Sequence, residues 1–90
     1  MPFKILKFGA KWCSPCKVLD QELDKLEAKY DVQIERIDIE EDTEQARKYG
    51  VRSVPTLIAV NDSGVPGTQV GGVMSAERLA SVFLGVSDEG

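Results

Sequence analysis

Histidine is absent from this chain of 90 residues, and cysteine occurs only twice. Without histidine, the chain cannot build a cysteine–histidine nucleophile or a histidine-ligated metal site. A structural zinc ion needs four ligands, so two thiols would bind zinc only in a dimer that shares both pairs. These absences leave few chemical roles for the protein, and the two cysteines are central to those that remain.

Long apolar runs and an excess of basic residues are also absent. No apolar run approaches the roughly 20 residues of a membrane-spanning helix, and residues 1–7 are too short and too charged for a secretory leader. The formal net charge of -4 disfavours binding to the nucleic-acid backbone. We therefore expect a cytoplasmic protein with no membrane and no nucleic acid among its partners.

The length and composition of the chain fit one small domain. Hydrophobic residues make up 42% and charged residues 29%, which is a globular balance, and 90 residues are too few for two cores. We expect a single domain over residues 1–90, acting as a monomer, with a frayed tail at residues 86–90.

Apolar patterning predicts the order strand, helix, strand, helix, strand, strand, helix. The strands are expected at residues 3–8, 32–39, 56–60 and 68–70. The first helix follows the cysteines, the second begins after Asp42 in a capping box with Gln45 and ends near Tyr49, and Ser75 caps the third. Consecutive strand–helix units favour parallel strands with right-handed crossovers. The predicted fold class is therefore α/β, a mixed four-stranded sheet with helices on both faces.

The two cysteines stand in the sequence Cys13-Ser14-Pro15-Cys16, where the first strand turns into the first helix. Thiol–disulfide exchange needs an attacking thiolate, a second thiol within reach and access for the substrate. Cys13 is the predicted nucleophile, because free N–H groups and the helix dipole favour an anionic sulfur at a helix N-terminus. Cys16, about one helical turn later, is the predicted resolving thiol. The redox group would be this disulfide, with no other cofactor.

Residues 12–17 (WCSPCK), 54–56 (VPT) and 71–72 (GG) together resemble the thioredoxin family. The resemblance implies that Trp12 shields the site, that the peptide bond before Pro55 is cis, and that the glycine pair helps to form a substrate groove. The implied groove residues are Trp12, Ser14, Pro15, Val54, Pro55, Thr56, Gly71 and Gly72. From the residues alone, the glycine pair is almost as readily explained as the end of a strand.

The sequence also departs from the family pattern. Ser14 replaces the usual glycine, and the N-terminal strand and helix of the usual thioredoxin are missing, which leaves a core of glutaredoxin size. Lys7, six residues before Cys13, stands where the family usually has a buried aspartate that assists proton transfer. Two interpretations of Lys7 remain open. Buried under the motif, it accepts the proton of Cys16 or, when charged, favours the Cys16 thiolate; alternatively it reaches solvent or pairs with Glu35 or Asp38 and has no catalytic part.

Two alternatives to a thioredoxin-type reductase follow from the sequence. A glutaredoxin would use glutathione, but Pro15 occupies the position of its usual aromatic residue and Ala76 that of its usual aspartate. A binding module on the same fold would not need the cysteine pair. We therefore expect a flavoprotein of the thioredoxin-reductase type as electron donor, and disulfide-containing proteins as substrates.

Overall fold

The computed structural model describes residues 3–86 and contains four strands and three helices. The elements are β1 (Phe3–Gly9), α1 (Ser14–Lys29), β2 (Ile34–Asp38), α2 (Thr43–Lys48), β3 (Thr56–Asn61), β4 (Pro66–Gly71) and α3 (Ala76–Leu84). The predicted element order is confirmed. The last strand begins two residues earlier than predicted, because it pairs through backbone groups at an exposed edge where the side chains show no apolar alternation.

The four strands form one mixed sheet in the order β2-β1-β3-β4. Strand β1 is parallel to β2 and antiparallel to β3, and β4 runs antiparallel to β3 at the edge. With strands on both sides and helices on both faces, β1 is buried from Ile5 to Gly9. The active-site motif therefore follows directly from the most enclosed strand of the protein.

One face of the sheet is covered by α1 and α3. The buried cluster on this face contains Ile5, Leu19, Leu23, Leu26, Val32, Leu57, Leu79 and Ala80. The three leucines of α1 recur at the spacing of one helical stripe, so a single face of the helix enters the core. This packing fixes α1, and with it the motif at its N-terminus, on the sheet.

The other face carries a smaller cluster under α2. Leu6, Phe8, Ile37, Ile58 and Val60 are buried there, and half-buried residues from α2 and the segment after it pack against them. The rings of Phe8 and Tyr49 lie 6.0 Å apart between centroids. Helices on both faces of a mixed four-stranded sheet confirm the predicted fold class.

The helix ends show the predicted capping. Asp42 accepts the N–H of Gln45, whose side-chain amide donates back to the same carboxylate. The Ser75 hydroxyl accepts the N–H of Arg78 at 3.2 Å. One cap was not predicted: Glu22 of α1 accepts the N–H of Ala76 at 2.9 Å, so a side chain of the first helix satisfies a free donor of the third.

The chain remains part of the packed structure through Val86. Its N–H donates to the carbonyl of Ala80, and its side chain is half-buried against the cluster under α1 and α3. The frayed tail expected at residues 86–90 stays a prediction, although residue 86 itself contacts the core. Residues 87–90 lie outside the described residues. Between residues 3 and 86, the helices are too short or too polar to cross a membrane.

Candidate active site

The cysteine motif lies at the turn that connects β1 to α1. Cys13 is the N-cap of α1, in an extended conformation, and Pro15 stands in the first turn, where its missing N–H has no helical partner to lose. A disulfide joins Cys13 to Cys16, with 5.3 Å between their Cα atoms. The structure therefore brings together the two predicted redox residues at the predicted place.

The sulfur of Cys13 occupies the position of a capping oxygen. The backbone N–H of Cys16 donates to Cys13 Sγ at 3.2 Å, satisfying one of the free donors at the start of the helix. The same donor, together with the helix dipole, stabilises negative charge on this sulfur when the disulfide is reduced. The two sulfurs are thus unequal, and Cys13 is the one placed to be a thiolate.

Both cysteines are buried although their neighbours are exposed. Cys13 is 4% exposed and Cys16 2%, whereas Trp12 is 64% exposed and Ser14 and Pro15 also face solvent. A substrate therefore has less access to the disulfide than the exposed turn indicates, because both cysteines are buried beneath it. A substrate that reaches the disulfide meets these exposed side chains first.

The other predicted groove residues lie at the same end of the sheet as the motif. Thr56, at the start of β3, is the register partner of Phe8 in β1 and of Gly71 in β4. The Val54–Pro55 peptide bond is cis, and the Pro55 carbonyl accepts the N–H of Gly72 at 3.1 Å. The end of β4 therefore lies against the proline segment, near the level at which β1 turns into the motif.

Lys7 is buried beneath the motif, with a residue exposure of 6%. Its ammonium lies 3.1 Å from Asp20 Oδ1 and donates to Oδ2 at 3.2 Å. The predicted partners Glu35 and Asp38 are therefore wrong. Lys7 is on the face of β1 that α1 covers, where Asp20 lies one turn beyond Cys16, whereas Glu35 pairs with Lys4.

Asp20 and Arg36 were not predicted as site residues. Arg36, the register partner of Lys7 on β2, donates through Nε to Asp20 Oδ1 at 3.1 Å and through Nη2 to Asp24 and Glu27. The carboxylate of Asp20 is thus shared by two cations from adjacent strands. The spacing of four between Cys16 and Asp20, which places both on one helical face, was the available signal.

An open cavity of about 310 Å³ adjoins this group and is lined by Lys7, Gly9, Cys16 and Asp20 among others. Within residues 3–86, no group of three or more histidine, cysteine, aspartate or glutamate side chains is placed to hold a metal ion.

The disulfide lies at the N-terminus of the helix that follows a central strand of a mixed α/β sheet. This arrangement defines a thioredoxin-fold redox protein. The thioredoxin family model matches residues 2–84. The thioredoxin of Staphylococcus epidermidis is 41% identical over 82 residues, covering 89% of this chain and 78% of its own. That of Buchnera aphidicola is 39% identical over 77 residues, covering 83% and 71%. The chain belongs to the thioredoxin family and is a thiol–disulfide oxidoreductase.

Solved structures show the same relationship. A mutant thioredoxin from Halobacterium salinarum superposes with a TM-score of 0.85 at 31% identity, covering 93% of this chain and 74% of that one. A reduced thioredoxin pre-protein from Schistosoma mansoni gives a TM-score of 0.81 at 29% identity, covering 94% and 80%. The overall fold is therefore shared with these thioredoxins.

Proposed function

We propose that the protein reduces disulfides in other proteins, with Cys13 as the nucleophile and Cys16 as the resolving thiol. The observation that carries this assignment is the hydrogen bond from the Cys16 N–H to Cys13 Sγ at 3.2 Å. Because this donor and the helix dipole both act on Cys13, its thiolate is the more stable of the two. Cys16 is buried at 2% exposure and lies within bonding distance of Cys13, which suits it to an intramolecular second step.

The proposed reaction has two exchange steps. The Cys13 thiolate attacks one sulfur of a substrate disulfide, which forms a mixed disulfide and releases the other substrate sulfur as a thiolate. The Cys16 sulfur, after losing its proton, then attacks Cys13 Sγ and displaces the second substrate thiolate. The two leaving thiolates take up protons. The substrate gains two electrons, and the protein is left with the Cys13–Cys16 disulfide.

The proposed substrate groove combines two sets of residues. Trp12, Ser14 and Pro15 are exposed around the disulfide. Val54, Pro55, Thr56, Gly71 and Gly72 form the second set, at the same end of the sheet. An extended segment of a substrate lying between the two sets would bring its disulfide to Cys13.

We place the protein in the cytoplasm and expect it to act there as a monomer. Its proposed electron donor is a flavoprotein of the thioredoxin-reductase type. Membership of the thioredoxin family supports this donor. The motif supports it as well, because Pro15 stands where glutaredoxins usually carry an aromatic residue. A coupled assay with thioredoxin reductase and NADPH, run against one with glutathione and its reductase, separates the two donors.

Reduction of insulin by dithiothreitol tests the proposed function. The wild-type protein should accelerate the reaction, and Cys13→Ser should fall to the rate of dithiothreitol alone because the nucleophile is gone. Cys16→Ser should still attack but accumulate a mixed disulfide with insulin, detectable by mass spectrometry. If Cys13→Ser traps substrate instead, the two roles are reversed. If the wild-type protein gives no acceleration, the binding-module alternative stands.

A further inference from the structure

The ammonium of Lys7 lies close to the sulfur of Cys16. A methyl group built on Gly9 would stand 2.9 Å from Lys7 Nζ and 3.2 Å from Cys16 Sγ. Because both distances are measured from the same point, Lys7 Nζ and Cys16 Sγ lie within roughly 6 Å of each other. Over this range a charge changes the ionisation of a neighbouring group. The absence of a side chain at Gly9 is what allows this approach.

The charge of Lys7 is held in place and is poorly screened. The Lys7 side chain is 7% exposed, and its ammonium is paired with Asp20, whose side chain is 36% exposed. A buried ammonium needs such a partner, because its desolvation is otherwise uncompensated. Because the Lys7 side chain is more buried than that of Asp20, the positive charge of Lys7 is the less screened of the two.

Other charged groups from the neighbouring elements line the same cavity as Cys16. They are Lys17 and Asp20 on α1, Arg36 and Asp38 on β2, Lys11 after β1, and Glu41 beyond β2. Lys11 and Glu41 pair with each other at 3.1 Å and are largely exposed. The Arg36 charge is offset by three carboxylates. Lys7 is thus the most buried charge beside the sulfur.

We propose that Lys7, positioned by Asp20, favours the thiolate of Cys16 during the resolving step. This inference rests on the proposed role of Cys16 as the resolving thiol. In that step Cys16 Sγ bonds to Cys13 Sγ, the bond from Cys13 to the substrate sulfur breaks, and the electron pair leaves with the substrate. The proton that Cys16 loses passes to solvent in the adjoining cavity or to the departing thiolate.

The sign of this effect is opposite to that of a carboxylate at the same position. A carboxylate disfavours a neighbouring thiolate by repulsion and assists by accepting the proton. A charged lysine cannot accept a proton, but it stabilises the anion that remains. Removing the charge of Lys7 should therefore raise the pH at which Cys16 ionises.

The test is a titration of Cys16 as the only thiol, in the Cys13→Ser variant, followed by the ultraviolet absorbance of the thiolate. Adding Lys7→Met should move the midpoint upward by about one pH unit. Lys7→Arg, which keeps the charge, should stay near the parent value. With both cysteines present, the rate at which the mixed disulfide releases the substrate thiol in a single turnover can be measured against pH. The midpoint of this pH profile should also move upward in Lys7→Met.

The matched control is Lys4→Met, which removes another ion pair from the same strand, that with Glu35 on the opposite face of the sheet. It should leave both profiles unchanged. Equal midpoints in Lys7→Met and the parent would overturn the proposal, and Lys7→Gln repeats the measurement should Lys7→Met fail to fold. Absence of substrate release in wild type would instead overturn the assignment of Cys16, on which the proposal rests.

Discussion

The first turn of α1 and the turns that follow it have different tasks. The first turn exposes Ser14 and Pro15, and one of its free N–H groups meets the sulfur of Cys13. The later turns bury Leu19 and Leu23 and make most of the contacts of the helix with the rest of the protein. The comparison shows that the first turn combines exposed side chains with the buried Cys16, whereas the apolar stripe that anchors the helix lies in the later turns.

Polar contacts show the same division along the helix. Asp20 joins α1 to both Lys7 and Arg36, which lie on the two neighbouring strands β1 and β2. Two residues later, Glu22 joins α1 to the first residue of α3. Anchoring by polar contacts therefore also belongs to the later turns, although the contact made by Asp20 reaches Lys7 beside Cys16 as well. The next three substitutions test the anchoring at Leu23, the space beneath the motif at Gly9 and the contact of Glu22 with α3.

The largest effect on stability is expected for Leu23→Ala in the anchoring part of α1. Leu23 is fully buried, and its truncation should lower the free energy of unfolding by about 2–5 kcal/mol through lost burial and a cavity. Val18→Ala on the exposed side of the same helix should change it by less than about 0.5 kcal/mol. Urea unfolding measures both, and equal losses would contradict the anchoring of α1 through one buried stripe.

A smaller loss is expected for Gly9→Ala, directly beneath the reactive turn. The new methyl group would lie 2.9 Å from Lys7 Nζ, which Asp20 holds in place, and 3.2 Å from Cys16 Sγ. We expect a loss of about 1–3 kcal/mol from this overpacking. In Gly67→Ala the nearest atom would be 3.8 Å away, so that variant should unfold like the wild type. Equal stability of all three proteins would show that the site has room that the contacts do not indicate.

The smallest effect is expected for Glu22→Gln, which should change how steeply the stability of the protein falls at acid pH. The hydrogen bond from Lys25 and that from the Ala76 backbone lower the pKa of this carboxyl. A carboxyl with a lowered pKa stabilises the fold above its unfolded-state pKa, and that stabilisation is lost as the pH falls through the folded-state value. Glu22→Gln should therefore flatten the loss of stability below about pH 5.

The control for this last prediction is Glu40→Gln, at an exposed position with no side-chain ion pair among residues 3–86. Thermal unfolding across the acid range should show the wild-type slope for Glu40→Gln and a shallower one for Glu22→Gln. The same slope in both variants would remove Glu22 from the acid response of the protein.

Sequence reasoning succeeded where the signal was local. The spacing of Leu19, Leu23 and Leu26 predicted the buried stripe of α1, and Asp42 and Ser75 marked the starts of two helices. Each signal is contained in a few adjacent residues, so it does not depend on how distant segments pack. The same locality explains why residues 12–17, at a strand-to-helix turn, identified the redox pair.

The partner of Lys7 was beyond the sequence because it depends on how α1 lies across the sheet. Lys7 and Asp20 are 13 residues apart, and nothing in either neighbourhood singles out one carboxylate over the others. The same holds for the cap that Glu22 provides to α3, across a separation of 54 residues. By itself, the sequence determined which elements form and that two cysteines begin a helix. Only the tertiary structure decided which charge lies beneath them, because that depends on the placement of a helix on a sheet rather than on any local pattern.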